Sequence, residues 1–245
     1  MMRNLRLTLE YDGSGFSGFQ RQPSRRTVQG ELEAALSRLL REPVRVIGAG
    51  RTDAGVHATG QVANFITTRP LLLEKAAEIF NAALPPDLVV REVEEVELGF
   101  HSRRMAKSRT YRYTAFNQPL RSARLSRFVG WVAQPLALEP MNQAARLLLG
   151  EHDFAAFQAS GSPTKSTFRR LLRAACRRLG DLVWIVLEAD AFLYQMARII
   201  VSSLFLVGTG RESVEWLGSL LASKDRRLAP PPAPAQGLCL VKVRY

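Results

Sequence analysis

Between residues 48 and 61 the chain reads GAGRTDAGVHATGQ, and the glycines at 48, 50, 55 and 60 bar this stretch from a helix interior and from an uninterrupted strand. The backbone there turns tightly or runs against something that leaves no room for side chains. Arg51, Thr52, Asp53 and His57 stand between the glycines, with apolar strand-like runs on either side. Ionisable groups on a loop held at strand ends are a common way to build a reactive site. The same residues also suit a plain turn with an aspartate to backbone hydrogen bond and a local Arg51 to Asp53 ion pair.

The flanking segments alternate in type. Leu5, Leu7, Leu9 and Tyr11 alternate with Arg6, Thr8 and Glu10, the pattern of a strand with one buried face. From Thr27 to about Leu40, Val28, Leu32, Ala35, Leu36, Leu39 and Leu40 recur at helical spacing. Gly30 weakens that helix by about 1 kcal/mol relative to alanine. Val44 and Val46, and then Val62 to Thr67, read as strands on either side of the Asp53 segment. A helix over 72–83 ends before Pro85-Pro86, and Val89 to Glu97 is a further strand. This order describes a small mixed sheet covered by helices on one face, the split βαβ, ferredoxin-like plan.

The second half partly repeats it. Thr110 to Asn117 reads as a strand with Tyr111 and Tyr113 on one face. Pro140 opens a helix carrying Met141, Ala144, Ala145, Leu148 and Leu149. A hairpin joins 169–177 to 182–189 across Leu179-Gly180-Asp181. Helices over 192–207 and 212–221 follow, and Cys239, Val241, Val243 and Tyr245 form one face of a closing strand. The proline-rich stretch 223–237 is unable to be helix or central strand, so it crosses the surface in extended form, as a lining element beside a cleft or as a plain linker. The expected fold is α+β: two ferredoxin-like halves, 1–102 and 103–245, whose mixed, mainly antiparallel sheets meet around a basic cleft. A chain of 245 residues is long enough for one large domain or two of ordinary size.

Charge narrows the partner. Thirty-four Lys and Arg against twenty-two Asp and Glu leave +12, which ranks nucleic acid first and anionic membrane second. Most of the bases are arginines, whose planar forks suit phosphate oxygens and stack on nucleobases. Arg21, Arg25 and Arg26 occupy the first loop; Arg103, Arg104, Lys107, Arg109 and Arg112 crowd the junction, followed by Arg121, Arg124 and Arg127. On the hairpin, Arg169, Arg173 and Arg177 share one strand face. With Phe16, Phe19, Tyr111 and Tyr113 among them, these clusters suit a cleft that holds a phosphate backbone and stacks a base, the alternative being a solvated basic face over core aromatics.

Other chemistries lack their motifs. Cys176 and Cys239 sit in apolar alternating stretches as core thiols, and His57, His101 and His152 show no metal-ligand spacing. No phosphate loop is present, and the glycine-rich stretch leads into no helix that could offer its N-terminus to a nucleotide, so no cofactor is expected. The opening MMRNLRLTLEYDG alternates rather than forming a leader, and IIVSSLFLV at 199–207 is too short to span a membrane, which makes the cytoplasm the expected compartment. Asp53 has three roles open to it: nucleophile, general base, or structural partner of Arg51.

GRTDAGVHA at 50–58, Tyr11-Asp12-Gly13 with Phe19-Gln20-Arg21-Gln22, TVQGELEAAL at 27–36, SRTYRY at 108–113 and GLCLVKVRY at 237–245 together resemble the tRNA pseudouridine synthase A family. The resemblance runs from Leu5 to Tyr245. It implies a homodimer, without a cofactor, that isomerises uridine to pseudouridine at positions 38, 39 and 40 of the tRNA anticodon stem-loop. It also implies roles: Asp53 as nucleophile, Tyr111 stacked on the target base, Arg198 paired with Asp53, Arg51 holding the flipped nucleotide, and Leu238 or Leu240 walling the pocket. Arg21, Arg25, Arg26, His57, Arg109, Arg169 and Arg173 are then assigned to RNA. The family's usual FLYHMVRN differs here, with Gln195 for the histidine, Ala197 for the valine and Ile200 near the usual asparagine. Arg198 is kept; the contacts around it are what these changes touch. Two other readings stay open, a non-catalytic RNA-binding or chaperone module and a pseudouridine synthase with another RNA target.

Overall fold

In the structure, a computed structural model that describes residues 1–161, 164 and 166–245, the first strand β1 (Arg3–Tyr11) follows its alternation. Leu5, Leu7 and Leu9 are fully buried and Tyr11 nearly so, while Arg6, Thr8 and Glu10 are half-exposed on the other face. Helix α1 (Val28–Leu40) starts where Thr27 accepts the Gly30 N–H on its side-chain oxygen. A Cβ on Gly30 would lie 2.9 Å from that oxygen, so the glycine serves the cap as well as weakening the helix.

The strand expected at Val44 and Val46 is not formed. Both residues are buried, but their amides donate to Ser37 Oγ at 2.9 Å and Glu33 Oε1 at 3.0 Å, side chains of α1 that take the place of a strand partner. Pairing begins only at β2 (Ile47–Gly48). Strand β3 (His57–Thr67) starts five residues earlier than Val62, so it contains Gly60. Helix α2 (Leu73–Asn81) and strand β4 (Leu88–Val96) fall where the pattern placed them.

Further along lie β5 (Ser108–Phe116), β6 (Gly130–Trp131), α3 (Leu138–Arg146), β7 (Gly150–Asp153), β8 (Phe168–Leu179) and β9 (Leu182–Ala189). Pro140 sits third in α3 rather than first; the amides of a first turn have no intrahelical acceptor, so proline fits there equally. Leu148 and Leu149 lie past the helix end. The β8–β9 hairpin turns across Gly180-Asp181, with Leu179 opposite Leu182 and Val183, Ile185 and Leu187 buried on one face. Helix α4 (Met196–Gly208) begins four residues later than Phe192, because Gln195 takes a left-handed conformation at φ 59° that a right-handed helix does not continue. Helix α5 (Val214–Ser223) is capped by Ser213, and β10 (Leu238–Arg244) ends the chain. Its most buried residues are Leu238, Leu240 and Val243; of the expected face only Val243 is buried, while Cys239, Val241 and Tyr245 are half-exposed.

The chain divides into two units, Met1–Lys107 with Leu240–Tyr245, and Ser108–Cys239. In the first, β4-β1-β3 run antiparallel, β2 pairs with β3 at Ile47–Asn64 and Gly48–Ala63, and β10 neighbours β3. Order β4-β1-β3-β2 with a helix after β1 and after β3 is the split βαβ plan. In the second unit the order is β5-β9-β8-β7, antiparallel throughout, with β6 parallel to β5 and α3 packed on β8 and α4. The fold is α+β with mixed, mainly antiparallel strands and five α-helices among the described residues.

Candidate active site

Asp53 lies half-buried in the first unit, on a loop whose neighbours are fixed on both sides. The buried Thr52 hydroxyl meets the Tyr11 hydroxyl at 2.8 Å, and the Thr52 carbonyl accepts the Phe19 amide at 3.0 Å. Gln61 Nε2 donates to the Gly50 carbonyl at 2.8 Å and to the Tyr11 oxygen at 3.4 Å. After Asp53 the chain closes a turn, Val56 N–H to Asp53 carbonyl at 3.1 Å, through Gly55 at φ +79°. The glycines thus do both things their spacing suggested. Gly55 turns the backbone, whereas a Cβ on Gly48 would lie 2.3 Å from the Phe19 ring and one on Gly60 2.3 Å from the Val241 carbonyl.

His57 is buried at the start of β3. Its Nδ1 accepts the Gly13 N–H at 3.0 Å and lies 3.3 Å from Asp12 Oδ1. A nitrogen that accepts has no proton to donate, so in the neutral ring the proton sits on Nε2 and the Asp12 contact is not a hydrogen bond. The geometry makes His57 a pin between the opening loop and β3. Arg26 is also tied down: two bonds of 2.7 Å to the Asp87 carboxylate, one of 3.1 Å to Glu31, and its guanidinium 4.2 Å from the centre of the Phe16 ring. The Asp87 hydrogen bond, foremost, raises its already high pKa. Arg21 reaches Glu33 at 3.5 Å but is largely exposed, and Arg25 and Arg51 are exposed. Leu240 is fully buried in this unit.

Tyr111 and Arg198 belong to the second unit. Tyr111 is buried on β5 opposite Leu187, its ring meeting Phe192 edge-on at 5.0 Å. Arg198, in the first turn of α4, is held by the proline-rich stretch: its Nε donates to the Ala233 carbonyl at 2.7 Å and its own carbonyl accepts the Ala233 N–H at 3.0 Å. That stretch is extended between two short 3-10 turns, Arg226–Leu228 and Ala235–Gly237, and Ala233 is buried. Ala197 is a buried core residue, as are Ile200 and its neighbour Ile199, which stands at the asparagine's own place in the segment, and Gln195 is the left-handed residue ahead of the helix.

Arg109 is buried and donates to the Asp190 carbonyl at 2.7 Å. Arg169 donates to the Ser166 carbonyl at 3.0 Å, and burial lowers its pKa, with the Asp190 carboxylate acting the other way. Arg173 is exposed and stands opposite Glu188 in the hairpin register. Leu238 is buried at the start of β10. Of the arginines assigned to RNA, Arg21, Arg25 and Arg173 therefore present solvent-facing charge, while Arg26 and Arg109 are engaged within the fold.

The bracing roles of Tyr11, Thr52 and Gln61 in the first unit, and of Ala233 beside Arg198 in the second, were not assigned from the sequence. One signal for Ala233 was present: it interrupts a run of prolines. Tyr11 and Gln61 read locally as ordinary strand residues. Among the described residues, no group of three or more His, Cys, Asp or Glu side chains could hold a metal, and no helix is long and apolar enough to cross a membrane.

A sequence model of the family described as tRNA pseudouridine synthase matches residues 8–103 and 144–245. A protein of Brevibacillus brevis named tRNA pseudouridine synthase A is 43% identical over 244 residues, covering 100% of both chains. Proteins of the same name from Tolumonas auensis and Cronobacter sakazakii are 44% and 45% identical over 98% of this chain and 92% and 88% of theirs. The match takes in the Asp53 loop, α4 with Arg198 and the final strand, and the chain belongs to the tRNA pseudouridine synthase family.

Proposed function

We propose that the chain converts uridine to pseudouridine at positions 38, 39 and 40 of the tRNA anticodon stem-loop, with Asp53 as nucleophile. The observation that carries this reading is the half-buried Asp53 inside GRTDAGVHA, on a loop locked by Tyr11, Gln61 and Phe19. A rigid loop holds a reacting carboxylate in one place, which is where much of an enzyme's rate comes from.

Isomerisation requires the C1′–N1 bond to break, the uracil to rotate, C5 to bond to C1′ and the C5 proton to leave. A carboxylate can serve by attacking C1′, by attacking C6, or by removing a sugar proton. In each case it must start ionised, and a cation beside it favours that state. Arg198 fills that role in this reading. Tyr111 stacks on the base, Arg51 holds the flipped nucleotide, and Leu238 and Leu240 supply apolar wall. The chemistry involves no net redox change and no phosphoryl transfer, so the side chains suffice without a cofactor. The uridine must leave its stack to reach Asp53, and exposed arginines such as Arg21, Arg25 and Arg173 anchor the surrounding phosphates. The protein acts in the cytoplasm as a homodimer.

Release of tritium from C5-labelled uridine in tRNA, with filter binding in parallel, tests the assignment. Asp53→Asn is expected to abolish release and keep tRNA affinity within about threefold; normal turnover by the variant removes Asp53 from the chemistry. Transcripts with a single uridine at 38, 39 or 40 are each expected to react, and a substrate modified elsewhere would redirect the target.

A further inference from the structure

Tyr113 is fully buried in the second unit, and its surroundings are cut to admit a phenol. Its ring meets Phe205 edge-on at 5.7 Å. A Cβ on Gly237 would lie 2.4 Å from the ring, and one on Gly130 1.9 Å from the hydroxyl oxygen itself. Yet that oxygen has no hydrogen-bond partner among the described residues. A buried hydroxyl without a partner costs stability, and a phenylalanine would fill the same slot without that cost. Packing therefore does not account for the oxygen.

Both elements that hold Arg198 also touch Tyr113. Phe205 lies seven residues beyond Arg198 in α4, two turns along the same helix face. Gly237 closes the stretch whose Ala233 clasps Arg198 through two hydrogen bonds. The cation is also felt at the ring: burial raises the Tyr113 phenol strongly, and the Arg198 charge opposes that rise. The phenol is thus neutral near pH 7 and keeps its lone pairs.

We propose that Tyr113 is a positioning residue whose hydroxyl oxygen accepts a hydrogen bond from the Arg198 guanidinium while Asp53 is uncharged during turnover. The inference rests on the reading of Asp53 as nucleophile and Arg198 as its counter-charge. Every route open to Asp53 consumes its charge. Attack on C1′ makes a neutral ester as the C1′–N1 electron pair leaves with the uracil. Attack on C6 makes an ester as the C5–C6 pair moves onto the C4 carbonyl. Proton removal from C2′, with the C1′–N1 pair leaving on the uracil, makes a neutral acid. In each case a half-buried guanidinium loses the carboxylate's charge and needs another acceptor.

Tyr113→Phe decides the matter when kcat, KM for tRNA and the thermal midpoint are measured together on the full chain. The expected result is a kcat about tenfold lower, the worth of one hydrogen bond to a charged group, with KM unchanged and a midpoint equal to or above wild type. An unchanged kcat overturns the proposal. A kcat that falls together with the midpoint also overturns it, since that is the mark of lost packing. Arg198→Ala separates the two levels of the argument. If it is inactive while Tyr113→Phe matches wild type, only the role of Tyr113 fails; if it is fully active, the reading of Arg198 fails and this inference with it.

Discussion

The Ala233 amide donates to the Arg198 carbonyl at 3.0 Å while Arg198 Nε donates back to the Ala233 carbonyl at 2.7 Å. In Pro230-Pro231-Pro232-Ala233-Pro234 only position 233 has an amide hydrogen to give. Ala233→Pro keeps the extended backbone and removes that donor. It is expected to cost about 1 kcal/mol of stability, one hydrogen bond's net worth, and to lower kcat by about tenfold or more through a loosened Arg198. Ala233→Gly, which keeps both bonds, should retain most of the rate. Steady-state tritium release and urea unfolding of the two variants check this, and equal rates for both would show that the clasp does not matter to turnover.

Thr52 fixes the residue before Asp53 by its 2.8 Å contact with the Tyr11 hydroxyl. Thr52→Val keeps the shape and deletes the bond in a buried setting, so we expect a loss of about 1–2 kcal/mol and a kcat that falls more than KM rises. Thr52→Ser should recover most of both. Chemical denaturation and single-turnover rates measure the two effects separately.

Arg25 and Arg26 are adjacent in sequence and differ in what holds them. Arg26 is bound by Asp87, Glu31 and the face of Phe16, whereas Arg25 is exposed. Arg26→Ala should lower stability by about 1 kcal/mol and change tRNA affinity little. Arg25→Ala should leave stability alone, weaken binding and make the slope of log affinity against log salt shallower by about 1. Filter binding between low and moderate salt, with thermal unfolding alongside, distinguishes them; a larger affinity loss in Arg26→Ala would place that arginine on the RNA.

Glu42 follows the left-handed Arg41 that ends α1 and ties the loop to the end of β3. Hydrogen bonds from the Thr67 and Thr68 hydroxyls, then the Thr68 amide and the Arg69 charge, hold its carboxyl below the ordinary 4.5, against the opposing effect of burial. The folded pKa is depressed, so this stabilisation is fully present above about pH 4.5 and is lost as pH falls through the lower folded value. Urea midpoints of wild type and Glu42→Gln should differ at pH 7 and draw together as pH falls below 4.5. A gap that stays constant across that range would mean the carboxylate charge contributes nothing.

Alternation and helical spacing made most elements legible. Leu5, Leu7, Leu9 and Tyr11 marked a strand, Val28 to Leu40 a helix, and Leu179-Gly180-Asp181 a hairpin, because period 2, period 3.6 and turn chemistry act over a few residues. The same patterns misled at Val44 and Val46, where alternation was present but Ser37 and Glu33 of α1 captured the amides. They misled again before α4, where an apolar run from Phe192 concealed the left-handed Gln195. In the site, the GRTDAGVHA segment identified Asp53 as the residue to watch. His57 and Arg26 looked like free charge for RNA, and nothing local revealed that Gly13 and Asp87 would occupy them.

What the sequence by itself determined, then, was the kind of each element, the basic character of the surface and the family-specific loop, all properties of short stretches or simple sums of charge. Only the tertiary structure decided which groups meet: that Leu240–Tyr245 joins the first unit, that Tyr11 and Gln61 brace the Asp53 loop, and that Ala233 clasps Arg198. Such pairings join residues tens to hundreds of positions apart, and each depends on how the packed elements satisfy their buried polar groups together rather than on any local preference of the chain.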